Sequence, residues 1–218
     1  MPPIPSRQKP TRLRWSNLNQ HELLEKGIER MTDFCNLNDI SIPEVNVVAP
    51  NDWEFSHVCA YYRPDTDSNR KWTTPGINIC LPHCGRPCGE VQSRNWTWPG
   101  NTTDREPYGV ICHELGHHCD YWKSDKKGTY FGDYGIRMRE ASKEPPISGY
   151  ADNDHEWFAE MFRVFVTNPA LLKQLRNKTY QLLINDWREL DDTDDWTLRL
   201  GCDVPDRVVK SLRNKGAK

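Results

Sequence analysis

The chain reads as an α+β fold: a small N-terminal sheet, a helix carrying the candidate active site, and an all-helical C-terminal lobe. Three observations lead there. Apolar residues between Leu23 and Phe34 recur at helical spacing. Short β-branched or aromatic runs bounded by Pro, Asn, Asp and Gly follow between Val45 and Leu81. From Pro107 onward the recognisable periodicity is helical. Strands in one block and helices in the next mark a segregated α+β architecture.

Taken in order, residues 1–16 hold Pro2, Pro3, Pro5 and Pro10 among Arg7, Lys9, Arg12 and Arg14. Such a segment buries too little apolar surface to order itself and is expected to be a disordered basic tail, or a docking arm for an acidic partner. Residues 17–218 are expected to form one domain of two lobes, a sheet lobe over about 17–123 and a helical lobe over about 124–218. Leu23, Leu24, Ile28, Met31 and Phe34 make the apolar face of a first helix. Strands are expected at Val45–Val48, Ser56–Tyr62 and Gly76–Leu81, with a turn at Asp65–Asn69. A long irregular segment from Pro82 to Glu106 comes next; connections of this length are often functional.

Pro107 suits a first helical turn, with Thr103 or Asp104 as cap, and the helix should reach Tyr121 or Trp122. Lys123–Gly149, polar and Gly-containing, reads as mostly loop with a helical turn around Met138. Asn153 or Asp154 caps a strong helix with Trp157, Met161, Phe162, Phe165 and Val166 on one face, stopped at Pro169. Shorter helices are expected at Ala170–Arg176, Tyr180–Leu190 and Asp206–Arg213, with an acidic loop at 191–195 between the last two.

Composition narrows the function. The 218 residues carry 29 basic and 31 acidic side chains, a net charge of -2, so no overall field would hold the protein on nucleic acid or an anionic membrane. Mean hydropathy is -0.83 and no apolar run approaches a membrane span. The first residues lack the apolar centre of a secretory signal, so a cytoplasmic protein with reduced thiols or metal-ligating cysteines is expected, despite eight Cys and the sequons at Asn95, Asn101 and Asn177. Nothing in the sequence speaks to oligomeric state.

The chemistry centres on His113-Glu114-Leu115-Gly116-His117, an H-E-x-x-H pattern. On a helix, residues four apart share a face, so both imidazoles can address one zinc ion while Glu114 sits beside them. A catalytic zinc needs three protein ligands and an open position. Asp120 and Lys123 stand where a longer third-His motif would place Gly and His, so the third ligand must come from elsewhere. Glu156 and Glu160, four apart on the next strong helix, are the first candidates, one for the metal and the other for a ligand His. Two carboxylates on a largely apolar helix are costly unless cations or donors meet them. Glu140 and Glu144 are the rivals, in surroundings that read as surface loop.

The segment His113–Asp120, then Gly149-Tyr150 and Glu156-Trp157-Phe158-Ala159-Glu160-Met161-Phe162-Arg163, resembles the catalytic domain of anthrax lethal factor and related zincins of the gluzincin type, including uncharacterised phage-encoded metallopeptidases. The resemblance covers roughly fifty residues and none of the first hundred. It implies a zincin-like fold and a Zn2+ cofactor. It further implies that Glu156 is the third ligand, that Glu160 and Asp120 support the ligand histidines, and that Tyr150 lies near the metal. The interval from Tyr150 to Glu156 is one residue shorter than in that family.

The expected activity is a zinc-dependent endopeptidase acting on a peptide or protein substrate. Zinc acidifies and orients a water, Glu114 takes its proton as general base, and Tyr150 donates a hydrogen bond to the developing oxyanion. In zincins an edge strand binds the substrate, and Ile77, Asn78, Ile79 and Cys80 are expected to serve. The rival reading is a zincin-like binding or assembly protein, such as a phage virion component or a toxin-like module. Cys59, Cys80, Cys84 and Cys88 could hold a second, structural metal, remain free buried thiols or pair as disulfides; their spacing is not the usual C-x2-C. His118 and His155 adjoin the motifs but should face elsewhere.

Overall fold

A computed structural model describes residues 18–55, 58–64, 76–84, 106–126, 132–147, 151 and 153–190. The expected basic tail, the turn at 65–69, most of the segment 82–106, the acidic loop at 191–195 and the helix at 206–213 lie outside the described residues. Helix α1 (Gln20–Leu37) leads into β1 (Glu44–Val47), β2 (Ala60–Arg63) and β3 (Gly76–Ile79). Helices α2 (Pro107–Lys126), α3 (Asp133–Ser142), α4 (Asp154–Thr167), α5 (Pro169–Leu175) and α6 (Asn177–Asp186) follow. The molecule is thus α+β, with a three-stranded sheet and mostly helical content.

Helix α1 starts with a capping box. The Asn19 side chain accepts from the His21 and Glu22 amides, and the Asn19 amide donates to Glu22 Oε2 at 2.6 Å. Its buried face, Leu23, Leu24, Met31 and Phe34, packs on α2. Gly27 permits this approach, since a Cβ there would lie 3.1 Å from both Tyr108 Cα and Ile111 Cβ. Half-buried Arg30 donates to the Val166 carbonyl at 2.9 and 2.6 Å, tying α1 to the end of α4.

Strand order is β1-β3-β2, with β1 parallel and β2 antiparallel to β3. The chain visits both flanks before filling the middle. All four β3 residues are buried, and Ile77 and Ile79 are inaccessible. One continuous apolar core joins them to Ile111 and Leu115 of α2 and then to Phe158 and Phe162 of α4. Edge-to-face ring contacts extend this core, Phe34 to Phe162 at 5.3 Å and Phe162 to Trp187 at 5.6 Å.

Three sequence expectations change here. The stretch read as mostly loop contains the ten-residue helix α3, which buries Tyr134, Met138 and Ser142, four apart. Its N-cap residue is Gly132, which offers no side chain. The caps come instead from α2, where Asp120 Oδ1 accepts from the Gly135 amide at 3.0 Å and Ser124 Oγ from the Tyr134 amide at 3.1 Å. Second, the strand expected at Ser56–Tyr62 appears as β2 from Ala60 to Arg63, with Val58 and Cys59 outside it. Helix α2 also runs one turn beyond Trp122. Among the described residues no helix is long and apolar enough to cross a membrane.

Candidate metal centre

Pro107 sits at the first position of α2, and the carbonyl of Glu106 takes the first helical hydrogen bond, from the Val110 amide at 3.0 Å. The helix presents His113 and His117 toward α4, which starts at an Asn153 cap whose Oδ1 accepts from the Glu156 amide. The two helices meet at Gly116 and Ala159. A Cβ on Gly116 would stand 2.7 Å from Ala159 Cα, so only glycine allows this separation. The close crossing sets Glu156 and Glu160 opposite the two histidines.

Three side chains converge. Glu156 Oε2 lies 2.9 Å from His113 Nε2 and 3.7 Å from His117 Nε2. The histidine rings stand 5.0 Å apart, edge to face. These donor atoms all fall within 4.8 Å of one another, the one such group of three among the described residues. Neighbouring ligands of a tetrahedral zinc are about 3.4 Å apart at bond lengths near 2.0–2.1 Å, and the two measured separations straddle that value. Glu156 Oε2 is buried and faces both imidazoles, so its lone pairs can serve a cation placed between the three groups. His113, His117 and Glu156 therefore fit a divalent metal. They can supply three ligands in one shell.

Behind them lies a buried charged ladder. His113 Nδ1 is 2.8 Å from Glu160 Oε1, and since a carboxylate only accepts, the imidazole donates. Glu160 also accepts from Arg163 Nε at 3.0 Å and Nη2 at 3.3 Å. Glu160 is fully buried, and so, nearly, is Arg163. Burial alone would lower the His113 pKa; hydrogen bonds and charge from Glu156 and Glu160 outweigh it and raise it to about 10. Burial would raise the Glu160 pKa, but Arg163 and His113 hold it well below the carboxylate range. Glu156 is likewise held low against its burial, by His113 and His117.

Glu114 is buried on the adjoining face, toward β2. Burial raises its pKa, with the Glu156 charge adding to the effect, while His113, His117 and a hydrogen bond from the Tyr62 amide oppose it. His118 faces the same strand. Its Nε2 is 2.8 Å from the Ser41 carbonyl and its Nδ1 is 3.0 Å from the Tyr62 hydroxyl. Burial lowers its pKa, partly offset by the Ser41 bond. His118 is thus structural in its contacts.

Other expected site residues fall differently. Asp120 Oδ1 accepts from the Gly135 amide in the first turn of α3 and from Ser124 Oγ on its own helix, so this oxygen serves helix capping while the charge interacts with His117. Glu144 accepts from the Thr179 amide at 2.8 Å and its hydroxyl at 2.7 Å, capping α6, and Glu140 is exposed on α3, so neither rival ligand reaches the histidines. Ile77, Asn78 and Ile79 do not offer a free edge: β3 is the central strand and pairs on both sides. Cys80 continues that strand inward, its amide donating to the Cys59 carbonyl. Tyr150 lies outside the described residues.

Of the alternatives open to the four cysteines at 59, 80, 84 and 88, two take the disulfide. Cys59 and Cys84 are joined in a disulfide with Cα atoms 4.9 Å apart, which removes two of the four sulfurs as thiolate ligands. Cys80 is a free buried thiol, and Cys88 lies outside the described residues. The disulfide also departs from the expectation of reduced thiols, whereas Cys35, Cys112 and Cys119 are free and buried as that expectation required.

Arg163 and Tyr62 carry roles in the structure beyond those expected from the sequence. A basic residue three positions after Glu160 on an otherwise apolar helix was the available signal for the first. The second carried no signal, because its partners lie more than fifty positions away.

No family model, no curated protein and no solved structure matches this chain.

Proposed function

We propose that this protein is a zinc-dependent endopeptidase of the zincin type, in the branch whose third ligand is a glutamate. The observation that carries the reading is the convergence of His113, His117 and Glu156 next to a buried Glu114. A structural metal site would use four protein ligands and would have no use for a carboxylate beside them; three ligands plus an adjacent base suit hydrolysis.

Zinc bound there would supply Lewis acidity toward the scissile carbonyl and an acidified water. His113 is fixed by its Nδ1–H bond to Glu160, so its Nε2 lone pair is presented to the metal. Glu114, its pKa raised, accepts the proton of the attacking water and returns it to the leaving amine. The substrate would lie beside β2, the outer strand next to α2, rather than along β3, which is paired on both sides.

The test is elemental analysis of the purified protein paired with Glu114→Gln. One zinc per chain is expected, with hydrolysis of a fluorogenic peptide pool lowered by about 100-fold or more in the variant at unchanged zinc content. Absence of stoichiometric zinc, or an unaffected rate, would defeat the reading.

A further inference from the structure

Helix α2 carries two pairs of side chains at i, i+4 spacing, offset by one residue. His113 and His117 look toward α4 and belong to the metal centre. Glu114 and His118 look toward β2, and one residue of that strand, Tyr62, engages both of them.

The hydrogen-bond directions are determined by chemistry. A carbonyl only accepts, so His118 Nε2, 2.8 Å from the Ser41 oxygen, carries the ring proton. In the neutral imidazole Nδ1 is then an acceptor, and the Tyr62 hydroxyl 3.0 Å away donates to it. Tyr62 also stacks edge to face on the same ring, with centroids 5.4 Å apart. Its main-chain N–H, meanwhile, donates to the Glu114 carboxylate one helical turn earlier. Ser41, in the connection from α1 to β1, holds the imidazole from the far side.

We propose that His118 and Tyr62 form a latch that positions the Glu114 carboxylate, so that both act as positioning residues for the base. The proposal rests on the endopeptidase reading given above. An ionised carboxylate next to two histidines could swing toward the metal and become a ligand. The Tyr62 amide occupies one of its oxygens and holds it on the strand side, leaving the other for the water. The amide can do so only while the strand is kept at a fixed height on the helix, and the Tyr62–His118 contact is what sets that height. The sixth residue of His113-Glu114-Leu115-Gly116-His117-His118 is thus part of the working motif.

Tyr62→Phe deletes one hydroxyl and leaves the ring, so it is the mildest test. In the zinc-loaded full chain, amide hydrogen exchange at residue 62 should accelerate about tenfold or more, as expected when a local hydrogen bond loses its support. Zinc affinity should remain at the wild-type level. On the peptide pool, kcat should fall about tenfold or more at unchanged KM, because a base displaced by a fraction of an ångström costs rate rather than binding. His118→Asn keeps an acceptor where Nδ1 stands and should retain more activity than His118→Leu; this pair also serves if Tyr62→Phe does not fold. Unchanged exchange at residue 62 in an active Tyr62→Phe protein, or equal activity of His118→Asn and His118→Leu, would overturn the latch alone. A wild-type protein that binds zinc but cleaves nothing would overturn the endopeptidase reading, and the latch's role with it.

Discussion

Glu160 Oε1 accepts from His113 Nδ1 at 2.8 Å and from Arg163 Nε at 3.0 Å, so a single buried oxygen joins the metal centre to the interior of α4. The two carboxylates of this helix therefore have different duties. Glu156 reaches the metal position and Glu160 orients a ligand from behind. Glu156→Ala is expected to abolish zinc retention, and Glu160→Ala to weaken zinc binding by about 10–100-fold. The second change should also destabilise the fold by about 3 kcal/mol, since it strips a buried guanidinium of a carboxylate. Competition against a chromophoric chelator and urea unfolding measure the two effects; the reverse ranking of zinc affinities would mean the carboxylates are exchanged in role.

Gly116→Ala tests whether the helix crossing sets the site. The added methyl would meet Ala159 Cα at 2.7 Å, a backbone atom that moves only with its helix. The helices must separate, at a cost of about 1–3 kcal/mol. Because His113 and His117 project from one helix and Glu156 from the other, zinc affinity should fall with stability. A Leu115→Met change, of similar volume and within the same helix, should leave zinc affinity alone. Calorimetric titration of the three proteins makes the comparison.

The two halves of the candidate metal cluster were legible in the sequence because the geometry within each helix is local. Spacing of four on a helix places His113 beside His117 and Glu156 beside Glu160 before any tertiary contact is known. Helix α3 was hidden for the opposite reason: its caps are Asp120 and Ser124, side chains of another helix, and its own start is a glycine. Strand order was equally out of reach. Residues Gly76–Ile79 read as a good strand, yet whether a strand lies at the edge or centre depends on how the chain crosses over, and here the last strand in sequence enters between the first two. The His118 contacts follow that order, since β2 lies on the flank of the sheet that packs against α2.

The Cys59–Cys84 bond should contribute to stability through the 25-residue interval that it closes. Restricting a loop of that length in the unfolded chain is worth about 3 kcal/mol. Cys84→Ser is expected to lower the unfolding free energy by that amount without changing strand pairing, because the Cys80 amide still donates to the Cys59 carbonyl. Non-reducing peptide mapping should recover the Cys59 and Cys84 peptides linked. Finding them separate in protein isolated under alkylating conditions would remove the bond and its stabilisation together.

The response to pH follows from the same ladder. Flanked by two carboxylates, His113 has its pKa raised to about 10 against an ordinary value of 6.5, so in chelator-treated protein it carries a proton at neutral pH. A raised folded-state pKa stabilises the protein fully below the ordinary value, and that contribution is lost as pH climbs through about 10. The thermal midpoint of chelator-treated protein should therefore decline between pH 7 and 10. Zinc reverses the sign, since it binds only the neutral imidazole and must displace this proton. Apparent zinc affinity should rise by about tenfold per pH unit over the same interval, with about one proton released from His113. Calorimetry in buffers of different ionisation enthalpy counts that proton directly. Binding without proton release would show that Glu156 and Glu160 do not hold His113 in its charged form.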